Sequence, residues 1–166
     1  MISVFIIAAQ SLDGFISPLE HTNSMSWTSG ADKEFFKKRT KEAGVVVMGR
    51  TTFETIGKAL PDRRTIVYSS KPIEIEGVET TSLSPKELLE KLEQEGHTEV
   101  AICGGSSIYS LFLNSRLVSK VYITLEPIIF GKGIALFSDI DKTRLTLLSS
   151  TPLSESAVLL EYQITK

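Results

Sequence analysis

The strongest constraint on this chain is its alternation of short β-branched runs with helical segments. Residues 3–9, 45–48, 65–69, 99–103 and 120–124 are strand candidates. Several are apolar on both faces, as strands of a sheet covered on each side must be. Helix candidates lie between them at about 31–43, 52–56, 84–93 and 107–113. Strand–helix–strand alternation builds an α/β fold with a mostly parallel sheet. The tail changes character: 145–150 and 157–165 are strand-like, with only 152–156 between them. Without room for a crossover helix, they must form an antiparallel hairpin at the sheet edge. The expected fold is an α/β three-layer sandwich. Its central, mostly parallel, twisted sheet carries an antiparallel C-terminal hairpin and has helices on both faces.

The 166 residues are expected to form one domain, 1–166. Neither a repeat nor a low-complexity linker interrupts them. The longest irregular stretch, 17–28, directly follows the first strand and is placed to close over a site at the strand ends. A hydrophobic content of 42% and charged content of 23% are ordinary globular values, which argues against wholesale disorder. The formal net charge of −2 gives no electrostatic reason to expect nucleic acid or an anionic membrane as partner. Cys103 is the single cysteine, so an internal disulfide is impossible and a cytoplasmic location is favoured. No apolar run approaches the ~20 residues that span a bilayer. The start, MISVFIIAAQ, lacks the basic region of a signal peptide and reads as the first core strand. His21, His97 and Cys103 lie far apart in sequence, which is poor material for zinc, and no metal is expected.

Four segments carry candidate chemistry. In SMSWTSGADKEFF, Asp32 stands five residues after the only tryptophan, Trp27, and four before Phe36. Positions four apart share a helix face. A carboxylate beside an aromatic ring suits a flat, nitrogen-rich heterocycle, the acid taking its N–H edge. Asp32 also fits a capping box with Ser29, where a first-turn acid offsets the helix dipole. The two roles are compatible. In VVVMGRTTFETIG a buried strand ends at Gly49-Arg50, and Thr51 or Thr52 is expected to cap a helix. Such a turn collects anions on backbone N–H groups, and Arg50 adds a fork suited to phosphate. In LPDRRTIVYSS, Arg63 or Arg64 could bind a substrate carboxylate or stay solvated on the rim, and Ser69 and Ser70 could bind phosphate. In AICGGSSIY, Gly104-Gly105 allows close backbone approach, and Ser106 or Ser107 is expected to cap the next helix. This second strand–Gly–helix turn lacks GxGxxG spacing. Cys103, at a strand end, is expected to be buried and inert. Ser106 and Ser107 have no His or Asp partner nearby in sequence, which argues against a serine hydrolase.

Together, and in this order, these pieces resemble dihydrofolate reductase over most of the chain. Trp27, Asp32 and Phe36 resemble the family's substrate block, W-x(4)-D-x(3)-F, with Met25 two before the tryptophan. Met48-Gly49-Arg50-x-Thr52, followed by Ile56-Gly57-Lys58-x-Leu60-Pro61-x-Arg63, resembles the family's cofactor turn and glutamate-binding arginine. Ile102-x-Gly104-Gly105-x-x-Ile108-Tyr109 resembles its second cofactor turn, where the Gly-Gly bond is cis. Tyr122-x-Thr124 resembles the strand whose threonine supports the catalytic acid.

The resemblance implies an NADPH-dependent oxidoreductase of folate and one-carbon metabolism, forming tetrahydrofolate, of a kind targeted by antifolates. Its substrate would be dihydrofolate, and it would be a monomer or homodimer. Asp32, Trp27, Thr124 and Tyr109 would be catalytic. Ile7, Ala8, Met25, Phe36, Leu60, Arg63 and Cys103 would join Asp32 and Thr124 around the substrate. Gly49, Arg50, Thr51, Thr52, Tyr68, Ser69, Ser70 and Lys71 would surround the adenosine phosphates. Cys103, Gly104, Gly105, Ser106, Ser107, Ile108 and Tyr109 would hold the pyrophosphate side, and Ala9 and Ile16 the nicotinamide. Three departures stand out. The loop before Trp27 is longer than in bacterial members. Ser106 and Ser107 replace the common Gly-Arg. Finally, EPIIFGKGIALF (126–137) and Ser11-Leu12-Asp13-Gly14 resemble the reductase domain of riboflavin synthesis, a relative that reduces an aminopyrimidine ribosyl phosphate with NADPH.

Overall fold

The computed structural model describes residues 1–19 and 24–165. In chain order its elements are β1 (Ser3–Gln10), β2 (Phe15–Ser17), a 3-10 turn (Ser24–Ser26), α1 (Gly30–Ala43), β3 (Val45–Gly49) and α2 (Arg50–Ile56). Then come β4 (Arg64–Tyr68), β5 (Val78–Thr81), α3 (Pro85–Gln94), β6 (Glu99–Ile102) and α4 (Ser106–Asn114). The chain ends with β7 (Lys120–Leu125), β8 (Ile134–Ala135), β9 (Arg144–Pro152) and β10 (Val158–Thr165).

Eight strands form one sheet in the order β5-β4-β3-β6-β1-β7-β10-β9. Neighbours from β5 to β7 are parallel, while β10 runs antiparallel to both β7 and β9. The α/β sandwich with its antiparallel C-terminal hairpin is therefore as expected. Three strands escaped the sequence reading. β5 is an edge strand of sequence VETT, with no apolar run to mark it. β2 and β8 pair with each other outside the main sheet, and at three and two residues are too short to show a period.

Side-chain alternation along each strand divides the core. Val4, Ile6 and Ala8 of β1 join Val45 and Val47 of β3 beneath α3 and α4, which contribute Leu88, Leu92, Phe112 and Leu113. Phe5 and Ile7 turn the other way, with Val46, Met48 and Tyr122, toward Ala43 of α1 and Phe53 of α2. Arg39 pins α1 to this second face. Its guanidinium lies 4.0 Å above the Phe5 ring and grips Glu99 with bonds of 2.8 and 2.6 Å. At the start of α3, Ser84 and Glu87 form a reciprocal capping box with Pro85 in the first turn.

Phe112 is fully buried and meets the Tyr68 ring edge-on at 5.9 Å, joining α4 to the end of β4. Phe112→Ala is expected to cost about 3–5 kcal/mol, read as a lowered urea midpoint with unchanged slope.

Candidate active site

β1 pairs with β6 from Ser3 and Glu99 as far as Ile6 and Ile102, although β1 continues to Gln10. The Tyr109 hydroxyl takes over at the break, donating to the Ile7 carbonyl at 2.7 Å. Beyond it the C-terminal ends of β1, β3 and β6 border a cavity of about 780 Å³. This is where an open parallel sheet places its ligands.

Ile7, Ala8 and Ala9 of β1, with Ile16 of β2, form one wall. Asp32 and Phe36 of α1 line the cavity as well, together with Leu60 and Arg63. The turn Gly49–Thr52, Tyr68, and the run from Cys103 to Tyr109 complete the enclosure. Five expected residues do not line it. Thr124 is buried behind Asp32, and Trp27 packs edge-on against Phe130 at 5.1 Å. Ser69 reaches the site only through Arg50, whose guanidinium donates to it at 3.1 Å, while Ser70 and Lys71 are exposed. The Met25 side chain, His21 and part of the 17–28 loop lie outside the described residues.

The electrostatics centre on Asp32. Burial pushes its carboxyl above the ordinary value of 3.8; the Thr124 hydroxyl pulls the other way, and the charge of Glu126 adds to the rise. The expected capping box is only half made. Ser29 Oγ accepts from the Asp32 N–H at 3.2 Å, but the Ser29 N–H donates to Glu126 at 2.9 Å instead of to Asp32. The Asp32 side chain lines the cavity. Arg63 is braced by donating to the Pro61 carbonyl and to Thr40 Oγ1, both at 2.9 Å. Burial pushes the Cys103 thiol up to about 12 and Tyr68 up to about 12, so both stay protonated at neutral pH. The Tyr68 hydroxyl and Trp27 Nε1 are buried without a hydrogen-bond partner among the described residues.

The glycine turns pack against each other. The Gly49 N–H donates to the Gly104 carbonyl at 2.8 Å, and a Cβ on Gly49 would stand 3.0 Å from Ile108. Gly104 has φ +121°, and the Gly104-Gly105 bond is cis. The helix caps differ from expectation. Gly49 and Gly105 are themselves the N-caps of α2 and α4, and neither helix has a side-chain cap. Each helix starts directly after its glycine, so Thr51, Thr52, Ser106 and Ser107 fall inside the first turns. Among the described residues the α4 first-turn N–H groups thus have no side-chain cap, and they suit an anion.

The family model for dihydrofolate reductase matches residues 3–164. The chain belongs to the dihydrofolate reductase family. The dihydrofolate reductase of Buchnera aphidicola subsp. Baizongia pistaciae is 32% identical over 78% of this chain and 74% of its own length. Dihydrofolate reductase from Enterococcus faecalis, solved with NADP(H) and RAB-propyl, superposes with a TM-score of 0.78 at 26% identity, covering 99% of this chain and 97% of that one. A Thermotoga maritima diaminohydroxyphosphoribosylaminopyrimidine deaminase/5-amino-6-(5-phosphoribosylamino)uracil reductase shares the fold, with a TM-score of 0.79 at 19% identity. That likeness covers 99% of this chain and 57% of the other. As a dihydrofolate reductase family member, the protein is an NADPH-dependent oxidoreductase.

Several wall residues were not picked out from the sequence. Lys33, Lys37 and Lys58 add cations to the wall, and Ile134 arrives from β8. The i, i+1 and i, i+5 positions of Lys33 and Lys37 relative to Asp32 offered a weak helical-face signal. Glu126 offered none, because its partners are 97 residues away.

The raised Asp32 pKa has a stability consequence. In the unfolded chain the group ionises near 3.8, whereas in the folded protein it keeps its proton to higher pH. Folding therefore takes up a proton in that window, and stability falls as pH rises through it. Asp32→Asn carries no such penalty. It is expected to melt above the wild type at about pH 8, with the gain shrinking as pH falls toward about 4.

Proposed function

We propose that this protein reduces 7,8-dihydrofolate to 5,6,7,8-tetrahydrofolate with NADPH. The observation that carries the reading is Asp32: a desolvated carboxyl lining, with Phe36, a cavity that two glycine turns also line. The chain's own groups divide the work. Asp32 accepts the N–H edge of the pterin and polarises the ring, with Thr124 behind it. Ile7, Phe36 and Leu60 pack against the planar parts of the substrate. Arg63, already oriented by Thr40 and Pro61, offers its remaining N–H groups to the glutamate carboxylate. Arg50, Tyr68 and the first turn of α4 suit the phosphates and adenosine of a dinucleotide. The close approach at Gly49 and the uncapped α4 terminus fit such a group. Bound there, NADPH would supply a hydride for the pterin C6. The proton at N5 comes from water.

A second reading has its own support. Reduction of an aminopyrimidine ribosyl phosphate calls for cations around the substrate, and Lys33, Lys37 and Lys58 lie along the wall with Arg63. The folate reading still ranks first, because a pterin edge uses the half-buried Asp32 and a glutamate tail uses Arg63.

Optical assays of NADPH oxidation with each substrate in turn separate the two. Dihydrofolate-dependent turnover is expected, and in Asp32→Asn it falls by roughly 10²-fold or more with the NADPH Kd nearly unchanged. Turnover that survives the substitution would remove Asp32 from the mechanism, and turnover only with the ribosyl phosphate would select the second reading. Arg50→Ala is expected to weaken NADPH by about tenfold or more while leaving NADH within about twofold, measured by fluorescence titration. Equal losses would show that Arg50 does not contact the 2′-phosphate.

A further inference from the structure

Glu126 follows the last residue of β7 and is only 2% exposed. It does not border the cavity, and nothing in the pterin chemistry above uses it. A buried carboxylate requires partners, and those of Glu126 are specific. Its Oε1 accepts from both the N–H and the hydroxyl of Ser29, at 2.9 and 2.8 Å. Ser29 is the N-cap of α1, and its hydroxyl oxygen accepts from the Asp32 N–H at 3.2 Å. Thr124 and Glu126 are two apart at the end of β7, so they project to the same side of the sheet. That is the α1 side, where Tyr122 also packs. One side chain therefore meets the Asp32 carboxyl while the next grips the cap on which Asp32 hangs.

We propose that Glu126 is a positioning residue for the reduction, holding Ser29, and through it Asp32, from outside the cavity. The inference rests on the reading of Asp32 as the substrate-facing acid. Its consequences are geometric and electrostatic. By occupying the Ser29 N–H, Glu126 takes the place a capping-box acid would fill and leaves the Asp32 carboxyl to the substrate. As a second anion beside the first, it opposes ionisation of Asp32. The other titratable groups around Asp32 are Lys33 on α1, which favours the ionised form, and Tyr109 on α4 with Cys103 beside it. Tyr109 and Cys103 are held protonated by burial, so they contribute little opposing charge. Glu126 is the acid that faces Asp32 from the sheet.

The test uses the full-length protein with Glu126→Gln, which keeps an acceptor for Ser29 and removes the charge, and Glu126→Ala, which removes both. The first readout needs no substrate: titration of the Asp32 carboxyl by carbon NMR of labelled aspartate, assigned with Asp32→Asn. In Glu126→Gln the Asp32 titration is expected to move to lower pH, with the fold and NADPH Kd retained. The second readout is the pH profile of single-turnover NADPH oxidation with dihydrofolate. Its apparent pKa should move in the same direction, and the rate at about pH 8 should fall roughly three- to tenfold. Glu126→Ala should lose more rate than Glu126→Gln, because the cap loses its acceptor as well. A Glu126→Gln protein whose Asp32 titration and rate profile both match wild type would overturn the proposal, even if its melting temperature fell. Absence of dihydrofolate turnover in the wild type, with the Asp32 titration still shifted by Glu126→Gln, would count against the folate reading and leave the positioning role standing.

Discussion

Withdrawing the Asp32 carboxyl from water is unfavourable, and the neighbouring architecture makes it possible. The side chain sits in the first turn of α1, where the helix dipole favours negative charge. The end of β7 lies opposite, with Thr124 and Glu126 projecting toward it. This juxtaposition depends on β1 and β7 running in parallel with paired ends, Ala9 against Thr124 and Gln10 against Leu125. A one-residue slip in that ladder would turn both side chains to the other face of the sheet. The acid is therefore held by strand register as much as by its own hydrogen bonds.

The cavity has a similar origin in pairing. It opens where β6 stops following β1, and the Tyr109 hydroxyl satisfies the carbonyl exposed there. Tyr109 stands on the same short helix whose N-terminal N–H groups suit a phosphate. One segment thus closes the seam in the sheet and forms part of the binding wall. The Gly49–Gly104 backbone contact keeps the two turns close enough to act together, and a side chain at Gly49 would press on Ile108.

Most of this was legible in the sequence for particular reasons. β1, β3, β4, β6 and β7 were readable because their apolar runs are buried on both faces. The hairpin was readable because its strands have no room between them for a crossover. The Asp32 and Phe36 pair followed from helical spacing alone. The caps of α2 and α4 were misread because serine and threonine are strong caps in general, whereas here glycines with extended torsions take the cap positions. β5 lacked an apolar run, and β2 and β8 were too short to carry a period. The partnership of Glu126 with Ser29 depends on strand order, which no local pattern encodes.

Two segments resemble the riboflavin-type relatives, 11–14 and 126–137, and as sequence they look like two independent pointers to a different substrate. The structure makes them one. Asp13 accepts from the N–H groups of Phe130 and Gly131 at 3.2 and 2.8 Å and from the Ser11 hydroxyl at 2.6 Å. These bonds hold the Asp13 carboxyl below the ordinary range. Trp27 then rests on Phe130, so the clasp braces the chain that leads into α1. Of both segments only Ile134 reaches the cavity wall. The bonds that join the two segments lie away from the cavity lining, so the likeness bears on how the site is framed. Substrate choice falls to the side chains on the wall, where a half-buried carboxyl and a braced arginine meet three lysines.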